Sequence, residues 1–284
     1  MPAPAKNSFP PLLCLLRRRN WLGRSFARLW GGDAAGPIRR LGRPLPSTLL
    51  DLLWSPEGLW LLVEEGIAFM KSADGPLQMV YHGRNKLCAI GLDLKSRSIY
   101  GVESTSGRLL CWENFKAVPK ALFCLSPGVR RLVLTPDGKR VMAAICLDGV
   151  RGAVVAWEME SGQVLWKQTE LSNPVGVTPW GTNGTLLVAD RTTGRLSRLD
   201  PAGRLTPIRE GIAGQAVALS VVGETAYLLE GPAAPTRFSP FSDNRRRHRP
   251  ISRLTALQLV LGERRTLWEA AGAPVAIASR PSHG

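Results

Sequence analysis

Short apolar runs alternate with polar turns along most of this chain, and the unit they form recurs. Each unit has an apolar run, a turn rich in Pro, Gly and Asp, a second run, a polar turn, and then a third and a fourth run. The clearest copy starts at Arg131 as RLVLTPDGKRVMAAICLDG and continues with RGAVVAWEMESGQVLWKQ. Because the runs are short, rich in Val, Leu and Trp and bounded by Gly and Pro, they predict β-strands, and the protein is expected to be all-β.

The spacing of the units predicts a β-propeller. The opening strand recurs at intervals of 38, 44, 44, 42 and 58 residues, from Leu49 through Leu87, Arg131, Val175 and Val217 to Val275. Four of these intervals match the roughly 40–45 residues of a four-stranded propeller blade. The fifth interval is longer, and a basic inserted loop over residues 231–253, rich in Pro and Arg, accounts for the excess.

The last unit supplies a single strand, and the N-terminal residues carry the pattern of the missing three. LLCLLRRRNWLGRSFARLWGGDAAGPIRRLG from Leu12 aligns with LLVADRTTGRLSRLDPAGRLTPIREG from Leu186. We therefore expect one domain over residues 1–284, a six-bladed β-propeller whose sixth blade is composite, which leaves no large open sheet edge. The predicted blades are 49–86, 87–130, 131–174, 175–216, 217–274, and 275–284 together with 12–41.

A second interpretation of residues 1–32 stays open at this point. They contain Lys6 and five arginines with no acidic residue before Asp33, and Leu15, Leu22, Phe26 and Leu29 share one face of a helix. Such a segment resembles a mitochondrial presequence or a basic interfacial helix. As a presequence, it would place the protein in an organelle and be removed on import.

Individual repeats resemble known propeller families. The turns SPEG and TPDG, with Trp112-Glu113 and Trp157-Glu158 closing third strands, resemble degenerate WD40-type repeats. The segment LLVADRTTGRLSRLDPAGRL from Leu186 is similar to NHL and YVTN-type blades. The resemblance covers most of the chain and implies the propeller fold. It indicates no single functional family, because the Gly-His dipeptide of WD40 repeats is absent.

The positive charge is concentrated in two segments. The formal net charge is +15, of which residues 1–50 carry +8 and residues 237–253 carry +5. In the repeat, both clusters fall at the turn between the second and third strands of neighbouring blades, so they are expected to meet on one face. Arginines gathered in this way favour an anionic partner, which could be an acidic protein, RNA or an anionic membrane surface. The candidate partner-binding residues are Arg17, Arg18, Arg19, Arg24, Arg245, Arg246, Arg247, His248 and Arg249.

A solvated arginine loop without a specific partner is the alternative to that surface. Trp21, Phe26, Phe238 and Phe241 are the aromatic residues near the clusters, and the first two are expected to pack between blades. Sequence-specific recognition of nucleic acid is therefore not predicted.

Acidic residues at the ends of the second strands suggest a second possible function. They resemble the acidic mouth of lactonase-type six-bladed enzymes, which implies a metal-dependent hydrolase as the alternative function. Hydrogen bonding of each acid to its own turn is the local explanation. The residues are Glu64 or Glu65, Glu103, Asp148, Asp190 and Glu230.

The remaining chemistry is sparse, and no catalytic residue, metal site or cofactor is predicted. There is no G-x-S-x-G elbow, phosphate-binding loop or dinucleotide fingerprint, and the three histidines have no metal-ligand spacing. The five cysteines form no C-x-x-C pair and are expected to be reduced core residues in a cytoplasmic protein. No apolar stretch approaches the roughly 18 residues that span a bilayer. The sequence thus predicts a non-catalytic scaffold or interaction subunit of a larger assembly.

Overall fold

The computed structural model describes twelve segments of the chain, and every structural statement below concerns these residues. They are 12–19, 25–32, 38–46, 48–83, 86–115, 118–146, 151–181, 183–212, 216–231, 251–261, 263–271 and 273–279.

The described strands form six four-stranded antiparallel sheets. The closing sheet contains β1 (Leu12–Arg19), β2 (Ser25–Gly32) and β3 (Arg39–Leu45), with the last described strand, β24 (Ala273–Ser279), at its inner edge. The first sheet contains β4 (Leu49–Ser55), β5 (Gly58–Val63), β6 (Gly66–Met70) and β7 (Gln78–His82). The second contains β8 (Leu87–Asp93), β9 (Ser98–Glu103), β10 (Arg108–Trp112) and β11 (Lys120–Cys124).

The other three sheets follow the same order along the chain. The third contains β12 (Val129–Leu134), β13 (Arg140–Cys146), β14 (Gly152–Glu158) and β15 (Val164–Leu171). The fourth contains β16 (Pro174–Pro179), β17 (Leu186–Asp190), β18 (Arg195–Leu199) and β19 (Leu205–Arg209). The fifth contains β20 (Ala216–Val222), β21 (Thr225–Glu230), β22 (Ile251–Gln258) and β23 (Arg264–Ala271), and β24 (Ala273–Ser279) completes the closing sheet.

The sheets are arranged around a central channel as a β-propeller, which confirms the fold predicted from the repeats. The inner strands contact one another in the cycle β4, β8, β12, β16, β20, β24 and back to β4. Between neighbouring sheets lie separate clusters of buried Leu, Val, Ile, Ala and Trp side chains. Burial of these apolar faces against one another is the main stabilising contribution to such a fold.

The closing sheet joins the two ends of the described chain. Strand β24 pairs antiparallel with β1, with Leu12 opposite Ser279 and Leu15 opposite Ala276. Leu13 packs in the cluster shared with the first sheet, and Leu16 packs in the cluster shared with the fifth sheet. Residues 12–19 and 25–32 are therefore strands, and the helical interpretation of this region is wrong for them.

Every inner strand carries a β-bulge at the same place. Pairing with the second strand skips one residue near the start of each inner strand, and the skipped residues are Leu50, Cys88, Arg130, Val175, Val217 and Val275. A bulge bends its strand and increases the local twist. Its recurrence shows that the six sheets share one geometry although their sequences differ.

Gly42 allows the closing sheet to approach the first sheet closely. Its φ is 54°, and a Cβ placed there would lie 1.8 Å from the carbonyl oxygen of Ala73 in the turn between β6 and β7. Any other residue would meet that backbone atom and also adopt a rarely populated conformation. Gly42 interrupts the pairing of β3 with β2, where Leu29 faces Leu41 and Ala27 faces Leu45.

Several predicted boundaries and environments differ from the structure. The inner strands begin at the predicted residue or one to two residues before it, as at Val129 and Ala273. Strand β22 begins at Ile251, so the predicted loop 231–253 overlaps it because pairing with β21 continues to Glu230 opposite Arg253. Cys111 and Cys146 are buried as expected, but Cys124 is exposed because it ends an outer strand. Among the described residues no helix is long and apolar enough to cross a membrane.

Candidate functional site

One face of the propeller carries the connections between the second and third strands of each sheet, and we call it the arginine face. Strand β1 ends there at Arg19, and β21 ends there at Glu230. The closing and fifth sheets are neighbours, since β20 contacts β24. The strand ends leading into both arginine clusters therefore lie on one face of adjacent sheets.

The structure describes only some of the predicted partner-binding residues. Arg17, Arg18 and Arg19 are the last residues of β1 rather than a turn, because pairing with Ala27, Phe26 and Ser25 extends the strand through them. The others lie outside the described residues, namely Arg24, Arg245, Arg246, Arg247, His248 and Arg249.

Buried polar contacts fix the strand ends next to residues 232–250. Glu230 is almost fully buried, and its carboxylate accepts hydrogen bonds from the Thr255 hydroxyl at 2.5 Å and from Arg264 Nη2 at 2.7 Å. Arg191, from the fourth sheet, donates to the carbonyl oxygen of Gly231 at 3.4 Å. Contacts from two sheets thus set the direction in which the chain leaves β21.

Asp190, at the end of the second strand of the fourth sheet, binds both its own turn and the connection that leads into its sheet. Asp190 is 1% exposed and accepts backbone N–H bonds from Ser172 (2.7 Å), Asn173 (3.1 Å), Thr192 (3.0 Å) and Thr193 (3.4 Å). A carboxylate with that many backbone donors stabilises a tight turn.

The other acids at these strand ends differ in their contacts. Glu103 accepts from the Ser106 hydroxyl of its own turn at 2.5 Å, whereas Glu64 forms an ion pair with Lys86, which precedes the second sheet. Asp148 is not among the described residues. Within the described segments no three His, Cys, Asp or Glu side chains gather into a metal-binding set. Glu103 thus follows the local explanation, and Glu64 and Glu230 bind residues outside their own turns.

The central channel contains a cavity of about 640 Å³. All six inner strands line it, and its walls are mainly Leu, Ile and Val side chains. At one end the lining comes from the turns between first and second strands, which include Lys95, Pro136, Gly181 and Glu224. We call this end the channel mouth, and it opens on the face opposite the arginine face.

A buried ion pair spans the other end of the cavity. Arg131 Nη1 of the third sheet contacts Asp51 Oδ1 of the first sheet, so the pair crosses the channel past the intervening second sheet. The side chains are 17% and 6% exposed, respectively. Both residues directly follow the bulge in their strands, and the corresponding residues elsewhere are small: Ala89, Gly176, Ala218 and Ala276. These small residues leave room for the two long charged side chains to meet.

Two thiols in the second sheet are held in their neutral form by burial. Burial raises the pKa of Cys88 to about 11, and its Sγ lies 3.5 Å from the carbonyl oxygen of Val102 as a weak donor. Burial also raises the pKa of Cys111 and of Tyr100, which hydrogen-bond to each other. A thiol nucleophile reacts as its thiolate, so neither cysteine is activated at neutral pH.

Sequence reasoning missed the pair formed by Asp51 and Arg131. Asp51 and Arg131 are two repeats apart, and the residue between them in the repeat is Ala89. A signal existed in the aligned units, where the residue after the bulge reads Asp, Ala, Arg, Gly, Ala and Ala. Two opposite charges among small residues at one repeat position would have indicated a contact across the ring.

Comparison with known proteins identifies the fold. No protein-family model matches the chain, and no curated protein matches it. A crystal structure of a nidogen/laminin complex contains a similar chain, with a TM-score of 0.69 at 15% identity, covering 94% of this chain and 97% of that one. TolB from Acinetobacter baumannii has a TM-score of 0.68 at 14% identity, covering 98% of this chain and 68% of that chain. Putative TolB from Agrobacterium tumefaciens has a TM-score of 0.62 at 14% identity, covering 94% of this chain and 92% of that chain. Likeness at such identities shows the β-propeller fold alone.

Proposed function

We propose that this β-propeller is a non-catalytic interaction scaffold, a subunit of a larger assembly, and that its arginine face binds an acidic protein. The observation that carries the proposal is the placement of two strand ends. The end of β1 and the end of β21 lie in neighbouring sheets on the same face, and each leads into a cluster of arginines. Guanidinium groups near one another repel unless carboxylates or phosphates join them.

One described arginine of the closing sheet, Arg43, extends this positive charge. Arg43 on the outer strand β3 is exposed, and it forms no ion pair with another described residue. It lies two residues before Leu45, which ends β3 at the arginine face, whereas the two arginines at the start of β3 lie toward the opposite face. Arg253 of the fifth sheet, by contrast, is already paired with Glu269 at 2.6 Å.

An acidic protein is favoured over single-stranded RNA by the state of the nearby aromatic rings. Base stacking needs aromatic faces open to the ligand. The Arg28 guanidinium lies over the Phe26 ring, with its Cζ 5.2 Å from the Phe26 ring centroid. Trp30 packs against Trp268, with ring centroids 4.8 Å apart. These two rings take part in packing within and between sheets rather than standing open to bases, and Trp21, Phe238 and Phe241 lie outside the described residues.

The finer assignments remain predictions that the sequence supports. The SPEG and TPDG turns and the Trp-Glu pairs support a WD40-like relationship, and the segment from Leu186 supports an NHL-like one. A six-bladed ring with a composite last blade is supported by the cycle of inner strands and by the pairing of β24 with β1. The cytoplasm is the compartment that the cysteine pattern favours.

Anisotropy of a fluorescent acidic polypeptide tests the proposal. Labelled poly-L-glutamate should bind the full chain at low salt and weaken steeply as salt rises. The variant Arg245→Glu/Arg246→Glu/Arg247→Glu should weaken binding at least about tenfold, equivalent to about 1.4 kcal/mol.

The matched control makes the same charge change on the opposite face. Lys95→Glu/Lys139→Glu/Arg204→Glu alters three exposed cations there and should leave binding within about twofold. Poly(A) RNA and phosphatidylserine vesicles serve as competitors. Equal loss in both variants, or stronger binding of RNA or vesicles than of poly-L-glutamate, would contradict an acidic protein as the partner of the arginine face.

A further inference from the structure

We infer that the central channel is a binding site for an uncharged, mostly apolar small molecule that carries one polar group. The cavity of about 640 Å³ lies within the roughly 300–1,000 Å³ typical of ligand sites. All six inner strands contribute to its lining, so the walls belong to the most connected part of the ring. Such a pocket is largely formed before a ligand arrives.

The composition of the walls selects an apolar ligand. Apolar residues of different sheets line the lumen, among them Leu53, Leu92, Val133, Val177 and Leu219. Polar groups are few along the same walls, where Thr178 and Ser220 contribute hydroxyls. Transfer of apolar surface from water into such a lumen gives about 25 cal/mol per Å². Most of the affinity would therefore come from the apolar body of the ligand.

The ion pair at the inner end selects against a charged ligand. Asp51 and Arg131 neutralise each other, so a further net charge in this apolar lumen would have no counter-charge and would lose its hydration. Among the described contacts the pair uses Arg131 Nη1 and Asp51 Oδ1. The other guanidinium donors and Asp51 Oδ2 can serve one polar group of a ligand. An amine, amide or hydroxyl on an aromatic frame fits this arrangement.

The channel mouth carries charges of both signs. Lys95 and Glu224 there are exposed, and the carboxylate of Asp93 accepts hydrogen bonds from the Lys95 amide at 2.9 Å and the Ser96 hydroxyl at 2.7 Å. The mouth lies on the face opposite the arginine face, so a ligand in the channel would not compete with a partner bound there. This inference is therefore independent of the proposed function, and either can fail alone.

Two fluorescent probes with the same aromatic frame test the charge selectivity. N-phenyl-1-naphthylamine is neutral and has one N–H donor, and 1-anilinonaphthalene-8-sulfonate adds a sulfonate. The neutral probe should show saturable fluorescence enhancement at a single site on the full chain. The sulfonate should bind at least about tenfold more weakly. Absence of saturable binding by the neutral probe, or equal affinity for both probes, would overturn the inference.

Variants locate the site. Thr178→Phe places a ring in the lumen and should reduce binding of the neutral probe about tenfold or more, since the two cannot share the space. Val118→Phe adds the same ring at a residue that is 89% exposed and should leave binding unchanged. Equal effects of the two variants would show that the probe binds the outer surface, against the inference.

Changing the ion pair should alter the preference for the neutral probe over the sulfonate. Asp51→Asn leaves the Arg131 charge unbalanced, so affinity for the sulfonate should rise about tenfold or more while affinity for the neutral probe does not. If this variant does not fold, Asp51→Leu/Arg131→Met replaces the pair by apolar groups. It should keep rejecting the sulfonate and bind the neutral probe a few-fold more weakly. If Asp51→Asn folds and leaves the affinity for the sulfonate unchanged, or if the double variant binds the sulfonate as tightly as the neutral probe, the role of the pair is refuted.

Discussion

The closing sheet and the fourth sheet have the same strand order and the same bulge, but different contacts hold them together. In the fourth sheet neighbouring strands are joined by short turns, and Asp190 binds two backbone N–H groups of one turn and two of the connection from the third sheet. In the closing sheet the inner strand β24 pairs with β1, from the opposite end of the described chain. The comparison teaches that packing against neighbouring sheets, rather than connectivity, sets the geometry of each sheet.

The sources of stability are therefore expected to differ. A short turn costs little chain entropy to close, and side-chain hydrogen bonds can offset that cost locally. The junction between β24 and β1 closes nearly the whole described chain into one loop, which costs more chain entropy than a short turn. The stabilising free energy must therefore come from burial of apolar faces on both sides of the closing sheet. Leu13 and Leu16 supply these faces toward the first and fifth sheets.

Removal of the N-terminal strands should have the largest effect. A chain that begins at residue 47 lacks β1, β2 and β3, and it exposes the clusters shared with the first and fifth sheets. We expect loss of the cooperative thermal transition, measured by calorimetry. A transition as sharp and as stable as that of the full chain would mean that the closing sheet does not hold the ring together.

Truncation of a single buried side chain tests the same junction with a smaller expected loss of stability. Leu16 is fully buried between the closing and fifth sheets, so Leu16→Ala should reduce the free energy of unfolding by about 3 kcal/mol. Leu165, on the outer strand β15, is 43% exposed, and Leu165→Ala should cost less than about 1 kcal/mol. Urea denaturation of both variants gives the comparison, and similar losses would contradict it.

The turn of the fourth sheet should show a smaller, local effect. Asp190→Ala leaves several buried N–H groups without acceptors and should lower the free energy of unfolding by about 2 kcal/mol. Asp200 in the same sheet accepts from the amides of Ala202 and Arg204, both at 2.9 Å, in a more open turn. Asp200→Ala should therefore cost about half as much. The reverse order would mean that burial of Asp190 adds nothing.

An exposed turn of the third sheet should show the smallest effect, and one that depends on pH. Hydrogen bonds from the Thr135 hydroxyl and, to a smaller extent, from the Lys139 amide hold the pKa of Asp137 below its ordinary value. Its carboxylate therefore stabilises the fold above about pH 4, and this contribution is lost as the pH falls through the folded pKa. Asp137→Asn should cost less than about 1 kcal/mol at pH 7. Thermal melts should converge below about pH 3; a difference that grows on acidification would contradict the assignment.

The sequence predicted the strands and the closing sheet because both leave a periodic trace. The apolar runs and the Pro-Asp-Gly turns are formed by residues close together in the sequence. Residues 12–41 repeat the pattern of the unit at Leu186, so the sequence alone reveals the likeness. The bulge at Leu50, Cys88 and the equivalent residues could not be predicted, because it arises from strand curvature and accepts almost any side chain. The close approach of Gly42 to Ala73 depends on how two sheets meet, which periodicity does not encode.

The candidate sites were predicted unevenly for a related reason. Charge clustering is visible along the sequence, in the net charges of residues 1–50 and 237–253, and binding by this face stays a prediction. The contacts of Asp190 with its own turn could be predicted because the turn recurs with its acid, but those with the connection from the third sheet could not. The pairing of Asp51 with Arg131 joins sheets that are not neighbours, and no pattern within one repeat reveals it.

The pairing of β24 with β1 has a consequence for biosynthesis. A ribosome makes β1, β2 and β3 before the other described strands, yet their inner partner β24 is the last of these. These three strands must therefore wait, with an unpaired edge, until β24 has been made. Because exposed strand edges recruit other chains, this interval is when the nascent polypeptide most needs protection from aggregation.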